Sequence, residues 1–147
     1  MREARTMVSW VLALFLTAMF LWIADQSLFP PEGKNIVFPM LAEKSEYYLF
    51  EPTGRFTVSI LEVLAAVLIF VPWTRRLGAM LGVLIAAGAL AAQLAWIGMA
   101  LPTPDGKTDG GSLFYLTVAL LVASLVLAVI HPGKSSSAAG PHAYYGQ

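Results

Sequence analysis

Four apolar stretches set the limits on what this chain can fold into: Met7 to Ala24, Gly54 to Val71, Leu77 to Ala100 and Leu113 to Ile130. Each runs for about 18 residues or more, which as helix is enough to cross a hydrocarbon core of roughly 30 Å. Composition points the same way. Hydrophobic residues make up 58% of the sequence and charged residues 12%, against about 25% charged in soluble domains. The expected fold is all-α, an integral membrane four-helix bundle. Residues 1–132 would form its single domain, with a long outer loop at 25–53, and residues 133–147 a flexible C-terminal tail.

Arg2 and Arg5 precede the first span as they would a secretory signal. The apolar core is longer than a signal h-region, however, and Ile23-Ala24-Asp25-Gln26 offers no small-x-small cleavage site, so the first helix is expected to stay. Basic residues set the orientation. One side carries Arg2, Arg5, Arg75, Arg76 and Lys134 against Glu3; the other has Asp25, Glu32, Glu43, Glu46, Glu51, Asp105 and Asp109 against Lys34, Lys44, Lys107 and Arg55. Both termini are therefore expected in the cytoplasm, with the acidic loops outside. The net charge of +0 conceals this asymmetry and gives no reason to expect nucleic acid.

The connections differ in character. Pro30-Pro31 and Gly33 should stop the first helix and Pro39 should interrupt again. Asn35 to Phe50 then reads either as a partly ordered segment at the outer interface or as irregular loop. The short turn Pro72 to Arg76 makes the second and third spans antiparallel neighbours, with Trp73 and both arginines expected at the headgroups. Leu101 to Gly111 is rich in helix breakers. After Pro132 the Ser, Ala and Gly-rich tail, with Tyr144-Tyr145 near its end, is expected to be disordered or to order only against a partner. In the third span Gly78, Gly82 and Ala86 recur at four-residue spacing, and Gly88 with Ala92 repeats it on a second face. Such spacing lets helix backbones approach closely, inside the bundle or across a dimer face.

The intramembrane polar residues carry the chemistry. Glu51, Arg55, Ser59 and Glu62 fall on one helical face. A carboxyl at the depth of Glu62 costs on the order of 2.5 to 3.5 kcal/mol and needs a partner or a job. Arg55 lies seven positions away, about 10 Å along the axis, too far for direct contact. Glu62 is therefore expected to be met by another group or water, or to be neutral and hydrogen-bonded to a neighbouring helix. Gln93 and Asp109 belong to the same outer half, so Arg55, Ser59, Glu62, Gln93 and Asp109 are the candidate pocket, with Asp109 the expected partner of Arg55. Two readings stay open: a pocket for a substrate, proton or quinone headgroup, or a polar clamp that fixes helix packing.

Several chemistries find no residues. The chain has no cysteine, so disulfides, thiolate metal sites, covalent haem and thiol redox steps within it are excluded. His131 and His142 do not form a pair facing across a bundle, so neither haem ligation nor a His-based metal centre is expected. Gly110-Gly111 is a turn rather than a phosphate loop. Ser59 has no His base and reads as helix glue.

The segment Glu51-Pro52-Thr53-Gly54-Arg55, then Ser59-Ile60-Leu61-Glu62, the small-residue third span and Asp109-Gly110-Gly111 before the last helix resembles the DoxX-like family of four-helix integral membrane proteins. The likeness covers roughly Val8 to Ile130. It departs at Ala24-Asp25-Gln26, where many members carry a small residue followed by lysine. The resemblance implies an accessory, redox-linked subunit of a bacterial inner-membrane complex, with lipid, other membrane subunits or further copies of itself as partners. It also implies a quinone as a noncovalent ligand, since members include components of thiosulfate:quinone oxidoreductase and of oxidative-stress complexes. The alternative is a small transporter or proton/cation pathway that uses Glu62. Last comes a stand-alone quinone oxidoreductase, which would need noncovalent cofactors.

Overall fold

The computed structural model describes residues 1–31 and 35–131. The expected tail, with Lys134, His142 and Tyr144-Tyr145, lies outside the described residues, as do Glu32, Gly33 and Lys34. Among the described residues the chain is all-helical, without strands. The helices are α1 (Arg2–Leu28), α2 (Val37–Ser45), α3 (Thr53–Phe70), α4 (Arg75–Ala92) and α5 (Ser112–Ile130); a π-helical turn, Gln93–Ile97, extends α4. Four of these helices are long and apolar enough to cross a membrane: α1, α3, α4 with its π turn, and α5.

The spanning helices pack in a ring in which α1 meets α3 and α5, and α4 meets α3 and α5. Each turns a stripe of small or apolar residues inward at 3–4 residue spacing. On α1 it is Ser9, Ala13, Leu16, Phe20, Ala24 and Ser27, and on α4 it is Arg75, Gly78, Ala79, Gly82 and Ala86. Opposite faces expose Val11, Leu14, Ile60, Leu84, Val122 and Val129. That arrangement suits a lipid solvent, which carries no penalty for exposed aliphatics. Gly78 sits where an added Cβ would lie 2.5 Å from the Ile69 backbone nitrogen, so α4 touches α3 backbone to backbone. At Gly82 a Cβ would meet Ser124 Oγ at 2.8 Å and the Phe20 ring, which places this stripe inside the bundle.

Three local features differ from the sequence expectations. α1 runs one turn past Ala24, through Asp25 to Leu28, before Pro30 and Pro31 end it. The long connection between α1 and α3 contains α2, and Pro39 does not interrupt that helix. Pro39 is the third residue of α2, in the first turn, where backbone N–H groups have no helical acceptor and a missing donor costs nothing. Asn35 Oδ1 accepts the Phe38 N–H at 3.1 Å and so covers one of those free donors. Finally, the two arginines of the α3–α4 turn part company: Arg76 and Trp73 are exposed, but Arg75 is buried at 1% exposure.

α2 and the 3-10 turn Tyr48–Phe50 lie against the π turn, with the Phe50 and Trp96 rings edge to face at 5.8 Å between centroids. They cover one end of the bundle, called here the α2 end. At the opposite, arginine end, the start of α1, the α3–α4 turn and the end of α5 come together. Arg5 Nη2 donates to the Ile130 carbonyl at 3.2 Å there.

Candidate functional site

A cavity of about 870 Å³ occupies the α2 half of the bundle. Its walls are mostly apolar, with Phe20 and Ile23 from α1, Leu61 from α3, Leu81 and Ile85 from α4, and Leu116 and Leu120 from α5. Phe38 and Leu41 of α2 and Phe50 close it from the end. Gly88 and Ala92 also line it, and a Cβ at Gly88 would meet nothing within 4 Å. The second small-residue face of α4 thus widens the cavity where the first face permits close packing.

Glu62 reaches this cavity from the middle of α3. It is 6% exposed, and its Oε2 has no hydrogen-bond partner among the described residues. Of the ways in which Glu62 is expected to be met, a hydrogen bond to a neighbouring helix is not formed among the described residues. An unpartnered buried polar group costs roughly 1 to 3 kcal/mol, more if charged. Ser124 Oγ, buried off the cavity, is also without a partner among the described residues, so Glu62 is distinguished by lining the cavity.

Gln93, the first residue of the π turn, lines the cavity from α4. Its Nε2 donates to Thr117 Oγ1 at 2.8 Å, and Thr117 Oγ1 in turn donates to the Leu113 carbonyl at 2.8 Å. π turns of this kind are single insertions that re-aim side chains and recur at functional sites. Sequence periodicity alone does not reveal them.

Asp109 lines the cavity but does not meet Arg55. Its carboxylate accepts N–H bonds from Leu101 (2.8 Å), Gly111 (2.9 Å) and Leu113 (2.9 Å), tying the turn after the π helix to the start of α5. Gly111, at φ +85°, gives the turn the left-handed residue that brings those donors round. Burial works against the charge on Asp109, yet the three N–H bonds outweigh it and hold the carboxyl below its usual 3.8.

Arg55 pairs instead with Glu51 one turn earlier, Nε to Oε1 at 3.0 Å, and its Nη1 donates to the Ser27 carbonyl at 2.7 Å. A cation on the last carbonyls of α1 is well placed against the helix dipole. Arg55 is therefore a clamp between α1 and α3, and Ser59 donates to the Arg55 carbonyl at 2.8 Å within its own helix. Neither lines the cavity. Of the five candidate residues the cavity gathers three, Glu62, Gln93 and Asp109.

Sequence reasoning passed over a second polar cluster, at the arginine end. Arg75 Nε donates to the Ile69 carbonyl at 2.9 Å and Nη2 to Phe70 at 3.4 Å, while Thr74 Oγ1 donates to Leu68 at 2.9 Å. Together they satisfy the last carbonyls of α3, which have no helical donors of their own. The guanidinium lies 4.0 Å from the centre of the Trp10 ring, and Nη1 reaches Ser9 Oγ at 3.5 Å. His131 joins the knot, with Nε2 at 3.0 Å from the Pro72 carbonyl and Nδ1 at 3.0 Å from Ser9 Oγ. A carbonyl only accepts, so Nε2 carries the proton; in the neutral ring Nδ1 then accepts from Ser9. Three chain segments are thereby joined. The signal was helical phase: Arg75 lies three residues before Gly78 on the buried stripe, and His131 lies four after the buried Leu127.

Among the described residues no cluster of three or more His, Cys, Asp or Glu could hold a metal ion. No family model, curated protein or solved structure matches the chain.

Proposed function

We propose that this chain is a multi-pass membrane protein that holds a small, mostly apolar molecule in its cavity, with Glu62 as the polar anchor. The observation that carries this reading is the unpartnered Oε2 of Glu62 in an apolar cavity of about 870 Å³, the combination of greasy wall and few polar groups typical of ligand sites. The distribution of basic residues supports an orientation with the arginine end in the cytoplasm and the α2 end outside. The resemblance to DoxX-like proteins supports an accessory, redox-linked role in a bacterial inner-membrane complex, with a quinone as one candidate occupant.

Holding fits better than passage. Between Glu62 and the arginine end lie Leu16, Ala65, Ala66, Ile69 and Leu127, each 0% exposed, and behind them the Arg75 knot. A permeation path through Glu62 would have to open that packed half. Purification from native membranes in mild detergent, followed by mass spectrometry, tests the proposal. A copurifying subunit together with a small molecule that Glu62→Gln loses is the expected result; a lone chain with neither contradicts it. Proton or cation flux into proteoliposomes that Glu62→Gln abolishes would favour the pathway reading instead.

A further inference from the structure

The buried polar groups deepest in the cavity bear on the chemistry of its occupant, the amides of Gln26 and Asn35 lying on its wall as well. No lysine, arginine or histidine lines the cavity among the described residues; its two carboxyl groups are Glu62 and Asp109. Asp109 already receives three backbone N–H bonds. Glu62 keeps an oxygen without a partner at 6% exposure. Gln93 adds a second acceptor. The Thr117 hydroxyl gives its proton to the Leu113 carbonyl, so it can only accept from Gln93, which must turn its NH₂ group toward Thr117. The amide carbonyl of Gln93 is then left for the cavity.

We infer that the cavity takes a free primary ammonium carried on a compact apolar body. Such a group brings N–H donors for Glu62 and for the Gln93 carbonyl, and a positive charge for an ionised Glu62. A charge-assisted bond of this kind is about twice as strong as a neutral one. The apolar body meets the aliphatic wall, and the rings of Phe20, Phe38 and Phe50 that line the cavity are suitable neighbours for a cation. Other ligand classes fit less well. A phosphate or carboxylate meets no basic side chain, which also disfavours an aminophospholipid headgroup, because its phosphate would follow the amine. A ligand with carbonyl oxygens alone can draw on the amide NH₂ groups of Gln26 and Asn35, which also line the cavity, but it brings no donor to an ionised Glu62. The inference rests on the proposal that the cavity holds a small molecule.

The test uses the whole chain in phosphatidylcholine nanodiscs near neutral pH, titrated with 1-adamantylamine and with 1-adamantanol, the same cage with a neutral hydroxyl. Empty nanodiscs supply the background. Both should bind saturably, the amine tighter by about tenfold or more. Glu62→Gln, nearly isosteric, should bring the two affinities within about twofold of each other. Equal affinities on the wild-type chain, or a preference that survives Glu62→Gln, would overturn the ammonium inference while leaving the cavity proposal standing. Absence of saturable binding by either ligand would overturn both. The comparison of ligands on the wild-type chain needs no variant to fold. Adding phosphatidylethanolamine to the nanodiscs should leave the amine affinity unchanged, and competition by it would overturn the assignment to a free amine.

Discussion

The two ends of this bundle handle buried polar groups in opposite ways. At the arginine end Arg75, Ser9, His131 and Thr74 are bonded to one another or to carbonyls that have no other donor. At the α2 end Glu62 lines the cavity with its Oε2 unpartnered among the described residues. Satisfied polar groups in a low-dielectric interior hold structure together, whereas an orphan is a standing cost unless something outside the chain removes it. The contrast separates a bonded end from an end with an unpartnered carboxyl, which is the binding half under the proposed function; the other unpartnered buried group among the described residues, Ser124 Oγ, lies off the cavity.

The largest effect should come from breaking the satisfied half. Arg75→Leu leaves the carbonyls of Ile69 and Phe70 without donors and should cost roughly 3 kcal/mol, from about 1 to 3 kcal/mol for each orphaned group; thermal unfolding in one fixed detergent measures it. Next come the glycines. Gly78→Ala forces a methyl against the α3 backbone and should cost about 1 to 3 kcal/mol. Gly88→Ala, facing open space, should be neutral or stabilising by up to about 1 kcal/mol. Equal losses at the two sites would break the comparison.

The opposite sign is expected at the orphan. Glu62→Leu removes a buried group that has no partner on one oxygen, and in the absence of ligand it should stabilise the chain by about 1 to 3 kcal/mol. The same melting assay that shows a loss for Arg75→Leu should show this gain. The smallest effect concerns Asp109 and pH. Its carboxyl is held below the usual 3.8 in the fold, so its charged form contributes stability that is fully present above about pH 4. That contribution fades as pH falls through the lowered value in the folded chain. Hydrogen exchange at Gly111 and Leu113 should accelerate over that acid range relative to its intrinsic rate. Asp109→Asn should flatten this change.

Much of the framework is legible in the sequence, for identifiable reasons. Span existence follows from apolar length, and the strangeness of Glu62 follows from the cost of a carboxyl in such a run. α2 was hidden because a proline reads as a breaker unless its place in the first turn is known. Arg75 and Arg76 are chemically identical neighbours. Only the phase of the Gly78–Gly82–Ala86 stripe distinguishes the buried one, so orientation at the headgroups was the wrong expectation for Arg75. Asp109 was assigned to Arg55 on charge and depth, but the turn supplies it with three N–H groups and Glu51 is nearer in sequence to Arg55. The orphan state of Glu62 is a property of packing and is invisible until the helices are placed.

A structure of the chain determined in a native membrane extract bears most directly on the central claim. The account predicts density from a small molecule inside the cavity, with a polar atom about 3 Å from a carboxyl oxygen of Glu62. A collapsed cavity in which Glu62 is hydrogen-bonded to a neighbouring helix would contradict it.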